Sequence, residues 1–326
     1  MMKRRFKSAL FATLLSASIA GIASDPSRAD DEVNVAAGIG LPWAPLFVAD
    51  QQGFFEKHGV NAKVQLFPSG RTSQEAIVGG GVAWGTVAET PVVFAAVNNL
   101  PVRIIGTMSG YEIFDVVATS DIQKLEDLKG KRVGYAQGTN AQVYLSRALE
   151  KAGLSFKDIT GINLSPTDMV TSLSNGQIDA FVWTEPHLSQ ALSLGKDRFH
   201  SIRTPGLYVN YSGIVTLQST IDNDPEMLVR SLCAMKEAAE YMKKNKDASI
   251  AYISERIKMD QDIVAKEWER IPFEIALDKV SIVQDMTLQA QWAIDSGLLA
   301  AGSKVPDFND VVVSTIIDQT NNCTGQ

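Results

Sequence analysis

Apolar residues along the first two thirds of the chain switch repeatedly between a two-residue and a 3.6-residue spacing. Short apolar runs bounded by turn residues predict strands, the first at residues 33–37, and amphipathic stretches between them predict helices, the first at 44–58. Strands that alternate with helices in this way are typical of parallel βαβ units. The pattern therefore predicts an α/β protein.

A second series of the same elements follows the first. The Gly-Gly-Val of residues 80–82 with Glu89 corresponds to the Gly-Gln-Ile of residues 176–178 with Glu185. The Lys-His-Gly-Val of residues 57–60 likewise corresponds to the Lys-Ala-Gly-Leu of residues 151–154. One such match is an ordinary boundary signal between helices and strands, but two in the same order, each followed by a proline-led turn, predict two lobes of similar construction. After one more strand at 212–218 the pattern is helical, up to a last helix at 308–320, and these helices are expected to pack around the first lobe.

Residues that favour helix N-termini follow the predicted strands of both halves. The turns read Pro-Ser-Gly-Arg-Thr at 68–72, Glu-Thr-Pro at 89–91, Gln-Gly-Thr-Asn at 137–140 and Thr-Glu-Pro at 184–186. In open α/β sheets such turns lie at the carboxyl ends of the strands, where ligands bind, and helix N-termini favour anions. A single turn of this kind is more often only a helix cap. The set, divided between two halves, predicts an anion-binding cleft.

Charged candidates in these turns are Arg71, Glu89 and Glu185. Arg71 is suited to bind a carboxylate or sulfonate through two parallel hydrogen bonds, the alternative being a solvated loop arginine. The two glutamates occupy corresponding places in the two halves and suit a ligand amine or ring N–H. Their alternative role is to complement a helix dipole. The uncharged donors of the same turns complete the polar set: Ser69, Thr72, Thr90, Gly138, Thr139 and Asn140.

Aromatic residues supply the candidate apolar wall of the cleft. Trp43 stands between Pro42 and Pro45 at the start of a predicted helix, which is a poor place for a core residue. Together with Trp183 and Tyr211 it is expected to enclose an apolar or aromatic part of the ligand. Trp84 lies within a predicted strand and is expected in the core.

The N-terminal residues 1–29 are predicted to be a signal peptide. A basic segment at 3–7 precedes an apolar run at 9–23, and Ser27-Arg28-Ala29 offers small residues for cleavage. The alternative, a membrane anchor, is disfavoured because the apolar run is short. With no cysteine near the cleavage site, a lipid anchor is not expected. We therefore expect a mature protein exported to the periplasm.

Charge and the scarcity of reactive residues exclude several classes of function. The formal net charge is −7, and loss of residues 1–29, which carry a net +4, brings it to −11. Such acidity argues against nucleic acid or anionic lipid as a partner. The three histidines stand alone, so neither a metal site nor a cofactor is expected. Cys233 and Cys323 are able to pair in an oxidising compartment, but their spacing leaves the question open.

Four segments resemble the periplasmic substrate-binding proteins of ABC importers for nitrate, sulfonates, taurine and thiamine-precursor pyrimidines. They are the Gly-Phe-Phe-Glu-Lys-x-Gly end of 46–59, Leu-x-Asp-Leu-Lys-Gly-Lys-x-Val-Gly at 125–134, the helix at 144–154, and the Asn-Gly-Gln-Ile-Asp-Ala with Trp-x-Glu-Pro of 173–186. The resemblance spans the mature chain. It implies the type II periplasmic binding protein fold, with two lobes, each a mixed sheet flanked by helices, that are joined by two crossover strands and close on a ligand.

With crossovers expected near 119–124 and 208–213, lobe one comprises residues 33–119 plus 214–326 and lobe two comprises 120–213. The resemblance implies a monomer that binds a small molecule and delivers it to an ABC permease and its ATPase. A sulfonate or taurine-like zwitterion is the first ligand candidate, and a thiamine-precursor pyrimidine or other aromatic heterocycle or carboxylate is the alternative.

Two enzymes share the fold, a desulfinase and a pyrimidine synthase. Both depend on cysteine chemistry, and neither Cys233 nor Cys323 is predicted near a strand-to-helix turn.

Overall fold

The computed structural model describes residues 32–195, 197–300 and 302–325, so the predicted signal peptide lies outside the described residues. The strands are β1 (Val33–Gly38), β2 (Ala62–Phe67), β3 (Trp84–Ala88), β4 (Val102–Tyr111), β5 (Asp115–Thr119), β6 (Arg132–Tyr135), β7 (Thr160–Asn163), β8 (Ala180–Trp183), β9 (Phe199–Ile202), β10 (Asn210–Leu217) and β11 (Ile275–Ala276). The helices are α1 (Ala44–Gln51), α2 (Phe54–Lys57), α3 (Gly70–Val78), α4 (Glu89–Val97), α5 (Asn140–Lys151), α6 (Pro166–Ser174), α7 (His187–Ser193), α8 (Gln218–Asn223), α9 (Pro225–Lys244), α10 (Lys246–Ile257), α11 (Gln261–Trp268), α12 (Lys279–Asp295) and α13 (Phe308–Val311).

Two mixed sheets organise these elements. The first has the order β11-β4-β10-β3-β1-β2 and the second the order β7-β6-β8-β5-β9. The βαβ units give parallel pairs, β1 with β2 and β3, and β6 with β7 and β8. Strand β10 is antiparallel to β3 and β4, and β5 is antiparallel to β8 and β9. The α/β class and the two mixed sheets are as the sequence predicted. We call the parts built on the two sheets lobe one and lobe two.

The chain crosses between the lobes at residues 112–114 and 203–209, which corrects the predicted crossovers. The first was expected at 119–124, but β5 pairs with β8 and β9 and so belongs to lobe two. The second was expected at 208–213, but β10 lies in the middle of the lobe-one sheet from Asn210 onward. Strands β4 and β5 are both apolar runs three residues apart, and nothing in their composition indicates that they belong to different sheets.

Several predicted helices differ in their ends. The helix expected at 44–58 is divided into α1 and α2 by Gly53, whose φ of 68° breaks the helical run. Helix α3 begins at Gly70 with Ser69 as its N-cap, and Thr72 is the third residue of the helix, where it completes a capping box. The helix expected at 308–320 is reduced to α13 and a 3-10 segment at Ile317–Gly325.

Helices cover both faces of each sheet and form the cores. In lobe one, α1 and α9 pack on one face around Trp84, which is fully buried as predicted, and α4, α12 and α13 cover the other. In lobe two, α5 covers one face, and α6 and α7 cover the other.

A disulfide joins Cys233 of α9 to Cys323 near the C-terminus, with 5.5 Å between the Cα atoms. Among the described helices, none has the length and apolar character required to cross a membrane.

Candidate ligand-binding site

A cavity lies between the lobes, at the carboxyl ends of the parallel strands. It encloses about 590 Å³ of empty space, including its mouth. Lobe one contributes the turns that follow β1, β2 and β3, and lobe two contributes those that follow β6 and β8. The first crossover adds Ile113 and Phe114. The predicted convergence of strand-to-helix turns on one cleft is therefore present in the structure.

Aromatic side chains form one wall of the cavity. Trp43 ends a 3-10 turn that leads into α1, and it is 8% exposed. Trp183 ends β8 of lobe two and meets Phe114 edge to face, with 6.3 Å between the ring centroids. Both tryptophans line the cavity, where the sequence predicted them, whereas Phe114 was not predicted. The wall offers flat apolar surface from both lobes.

Two helix N-termini, one from each lobe, meet the same cavity. In α3 the Ser69 hydroxyl accepts from Thr72 N at 3.3 Å, so the early amides that remain for a ligand are those of Gly70 and Arg71. Gly70 has no room for a side chain, because a Cβ would lie 3.1 Å from Ala88 N. In α5 the cavity is lined by Thr139 and Asn140. Two positive helix ends directed at one cavity favour an anion.

Arg71 links the two lobes at the edge of this cavity. Its side chain is 48% exposed, Nε donates to Glu75 Oε1 at 3.1 Å, and Nη1 donates to Gln137 O of lobe two at 2.8 Å. The guanidinium therefore already has two protein acceptors. In this arrangement Arg71 bridges the lobes, and only part of its guanidinium remains available to bind a carboxylate or sulfonate of a ligand.

A polar floor closes the cavity on the side of the crossovers. Tyr111 Oη and Ser212 Oγ are 2.5 Å apart, and Asn210 Nδ2 donates to both, at 3.3 and 3.2 Å. Asn140 Nδ2 of lobe two donates to Asn210 Oδ1 at 2.9 Å. Tyr111, Asn210 and Ser212 were not predicted, because they lie within the antiparallel strands β4 and β10 and carry no turn signal. Burial raises the pKa of Tyr111, so its hydroxyl stays protonated.

Glu89 lies behind this floor and does not line the cavity, contrary to its predicted contact with the ligand. Its carboxylate is fully buried and accepts from Asn140 Nδ2 at 2.7 Å, Gln289 Nε2 at 3.1 Å, Tyr211 N at 3.0 Å and the Tyr208 hydroxyl. Burial raises the pKa of Glu89 to about 7, and the nearby charge of Asp285 acts in the same direction.

Five other candidates also lie away from the cavity wall. Glu185 turns to α7 instead, where it accepts from Ser189 N at 3.0 Å and Ser189 Oγ at 2.6 Å, and burial raises its pKa. The remaining four have local structural roles: Thr72 caps α3, Thr90 donates to Gln289 Oε1 at 2.6 Å, Gly138 takes a left-handed turn before α5, and Tyr211 packs against the lobe-one core.

Comparisons with known proteins agree with this architecture. A relative from Bacillus subtilis (strain 168), named "Putative aliphatic sulfonates-binding protein", is 27% identical over 294 residues and covers 86% of each chain. A second relative, the 4-amino-5-hydroxymethyl-2-methylpyrimidine phosphate synthase of Schizosaccharomyces pombe, is 28% identical over 148 residues, or 43% of this chain and 41% of that one. Among solved structures, the alkanesulfonate-binding protein SsuA from Xanthomonas axonopodis pv. citri, bound to MOPS, superposes with a TM-score of 0.77 at 21% identity. The superposition covers 87% of this chain and 98% of that one.

The structural likeness establishes the periplasmic binding protein fold that the sequence resemblance implied. The family model described as "NMT1/THI5 like" matches residues 42–249, which include both crossovers, the aromatic wall and the two helix N-termini that meet the cavity. By this match the chain belongs to the NMT1/THI5-like family.

Proposed function

We propose that the protein binds a small organic anion between its lobes, with a sulfonate as the first candidate, and delivers it to an ABC permease. One observation carries the proposal: the N-termini of α3 and α5, from opposite lobes, meet a cavity whose lining, in the described part of the chain, includes no carboxylate. A sulfonate spreads its charge over three oxygens, each able to accept from backbone amides. The aromatic wall suits the organic part of such a ligand.

The position of the two glutamates changes the order of ligand candidates. Taurine was favoured on the expectation that Glu89 and Glu185 meet its ammonium group. Glu89 is instead enclosed by donors behind the floor, and Glu185 accepts from Ser189 of α7. An ammonium group would therefore enter the cavity without a carboxylate partner. We accordingly place alkyl and aryl sulfonates ahead of taurine.

A thiamine-precursor pyrimidine remains the second candidate. Its support is the pair Trp43 and Trp183, which would stack well on a flat ring, together with the similarity to the pyrimidine phosphate synthase. An enzymatic role has weaker support, because Cys233 and Cys323 are both held in a disulfide and neither lines the cavity. The fold's cysteine-dependent chemistries need a free thiolate.

Thermal-shift measurements on the purified protein would test this proposal. The set is 1-butanesulfonate, benzenesulfonate, taurine, a 4-aminopyrimidine and an alkylammonium control. A ligand present at a hundred times its Kd stabilises the folded protein by about 2.7 kcal/mol, and the sulfonates are expected to raise Tm most. If only the alkylammonium or neutral compounds raised Tm, the anion site would be disproved.

Variants of the wall and a transport assay complete the test. Trp43→Phe and Trp183→Phe should weaken binding several-fold while leaving Tm without ligand nearly unchanged, since a ring remains at each position.

Small-angle scattering should show a smaller radius of gyration with 1-butanesulfonate, because a ligand held by both lobes favours the closed state. Uptake of that compound should be lost in a deletion strain. Binding without any effect on uptake would favour a sensory role.

A further inference from the structure

Glu89 joins three parts of the molecule although it does not touch the cavity. It stands at the first position of α4 in lobe one. Its donors come from α5 of lobe two (Asn140), from the second crossover (Tyr208) and from α12 (Gln289). These three donors share Oε1, and Tyr211 N donates to Oε2, so the carboxyl group accepts four hydrogen bonds. The hydrogen bonds of such a group depend on the relative position of the lobes.

The orientation of Asn140 depends on Glu89. Asn140 Nδ2 is surrounded by three acceptors, which are Glu89 Oε1 at 2.7 Å, Tyr208 Oη at 2.6 Å and Asn210 Oδ1 at 2.9 Å. Reversing the amide would set Asn140 Oδ1 against the carboxylate oxygen and the amide oxygen, which is repulsive. Glu89 thus determines the orientation of the Asn140 side-chain amide in the cavity wall.

The same contacts form part of a longer interlobe surface, which we call the α5–α12 seam. Asp285, Gln289 and Trp292 lie on one face of α12, at positions i, i+4 and i+7. Arg147 Nη2 of α5 lies 3.3 Å from Asp285 Oδ1, and Trp292 Nε1 donates to Ser146 Oγ at 2.8 Å. Asp285 Oδ2 also accepts from Gln289 Nε2 at 2.5 Å. Through Gln289, the seam connects Glu89 to the face of α12 that contacts α5.

We propose that Glu89 is a positioning residue for ligand binding, which holds Asn140 across the lobe interface and so couples ligand affinity to closure of the lobes. The inference rests on the proposed function, because Asn140 is taken to be part of the ligand site. Separation of the lobes removes Asn140, the lobe-two donor, from Glu89. The ligand and the contact between Glu89 and Asn140 therefore favour the same closed arrangement.

Closure should also take up a proton. The ionisable groups around Glu89 are Asp285 of α12, Arg147 of α5, which pairs with Asp285 and stacks on Tyr208, and the hydroxyls of Tyr208 and Tyr111. Burial raises the pKa of Glu89 to about 7 in the structure, where Asn140 of lobe two contacts the carboxyl group. A carboxyl group whose pKa rises on closure favours the closed state at low pH and loses that effect as pH rises through 7. Affinity should therefore fall between pH 5 and 8.

Glu89→Gln tests the role of the carboxylate with little change in volume. Glutamine has one acceptor oxygen, so its amide nitrogen must face a donor such as Tyr211 N. With 1-butanesulfonate as the probe, we expect the Kd of the variant to be independent of pH between 5 and 8, so that its ratio to the wild-type Kd is largest at pH 5. Calorimetry in two buffers of different ionisation enthalpy should show proton uptake on binding for the wild type and none for the variant. Glu185→Gln is the matched control, a partly buried carboxylate outside the cavity, and should keep the pH dependence and the proton uptake of the wild type.

A ligand-independent measurement separates this inference from the proposed ligand class. Tm without ligand would be measured for Glu89→Gln, Asn140→Ala and the double variant. A double-variant loss clearly smaller than the sum of the single losses supports the inference, and additivity overturns it. A Kd of Glu89→Gln that keeps the wild-type pH dependence, or an unchanged proton uptake, also overturns it. If 1-butanesulfonate fails to bind the wild type, the ligand class is wrong, and the Tm cycle alone decides the role of Glu89.

Discussion

The indole of Trp43 lies against Gly38, so closely that a Cβ at position 38 would be 2.9 Å from Trp43 Nε1. Gly38 ends β1, and Trp43 stands just before α1, so the two residues enclose the first strand-to-helix turn. The glycine is required here for space, and the close approach fixes the ring at the cavity wall. A tryptophan between two prolines is thereby explained as a rigid part of the site.

Gly38→Ala should therefore displace the Trp43 ring. Because overpacking of a closed site costs about 1–3 kcal/mol, we expect a Tm loss of several degrees and a shift in tryptophan emission. Gly40→Ala is the matched control, since its Cβ would lie 3.5 Å from Pro42 Cδ, an ordinary contact. Equal losses in the two variants would contradict a specific contact between Gly38 and the indole.

The sequence predicted the walls of the site better than its floor. Trp43, Ser69, Thr139 and Trp183 were predicted for the cleft from proline, capping and strand-end signals, which are local in the chain, and all four line the cavity. The floor depends on the register between β4 and β10, which sets Tyr111 opposite Asn210, 99 residues away. Patterns of apolar residues do not specify such a register, so this part of the site could not be predicted.

The two glutamates lie outside the cavity for a related reason. Both stand at turns where a ligand contact is plausible, and their chemistry alone does not distinguish a cleft acid from a buried or capping one. Glu89 is covered by α12, which is nearly two hundred residues later in the chain, through Gln289. Glu185 finds a nearer partner in Ser189, one helical turn away. Packing by a distant segment decided the position of Glu89, and a contact within the next helical turn decided that of Glu185.

Substitution of Arg71 should separate a lobe-bridging role from a charge role. Arg71→Lys retains the positive charge but replaces the fork that reaches both Glu75 and Gln137 O. We expect Arg71→Lys and Arg71→Ala to raise the Kd for 1-butanesulfonate by a similar factor, about threefold to tenfold, because the bridge to lobe two is lost in both. Near-normal affinity of the lysine variant at low salt would instead show that the charge acts directly on the ligand.

Removal of the disulfide should lower stability without changing the site. Cys233 and Cys323 are 90 residues apart, and closure of a loop of that size restricts the unfolded chain by about 4–5 kcal/mol in entropic models. Cys323→Ser combined with Cys233→Ser should lower Tm by roughly 5–15 °C. The ligand Kd should remain within about twofold, since the bond lies outside the cavity. An unchanged Tm under oxidising conditions would mean that the bond adds little to the folded state.

The pH dependence of stability should carry a signature of His187, at the start of α7. Its ring is buried, and burial lowers its pKa to about 4, below the ordinary value of 6.5. As pH falls from 6.5, the unfolded chain takes up a proton on this ring that the folded protein does not accept until about pH 4. Stability is therefore lost across that interval, by up to about 3 kcal/mol. Glu89, whose pKa is raised, acts in the opposite direction over an overlapping range.

In His187→Gln the acid loss of stability caused by His187 should disappear. The Tm difference between variant and wild type, measured at pH 4, 5, 6 and 7.5, should therefore change steadily in favour of the variant as pH falls. A pH-independent difference would show that His187 does not contribute to acid sensitivity.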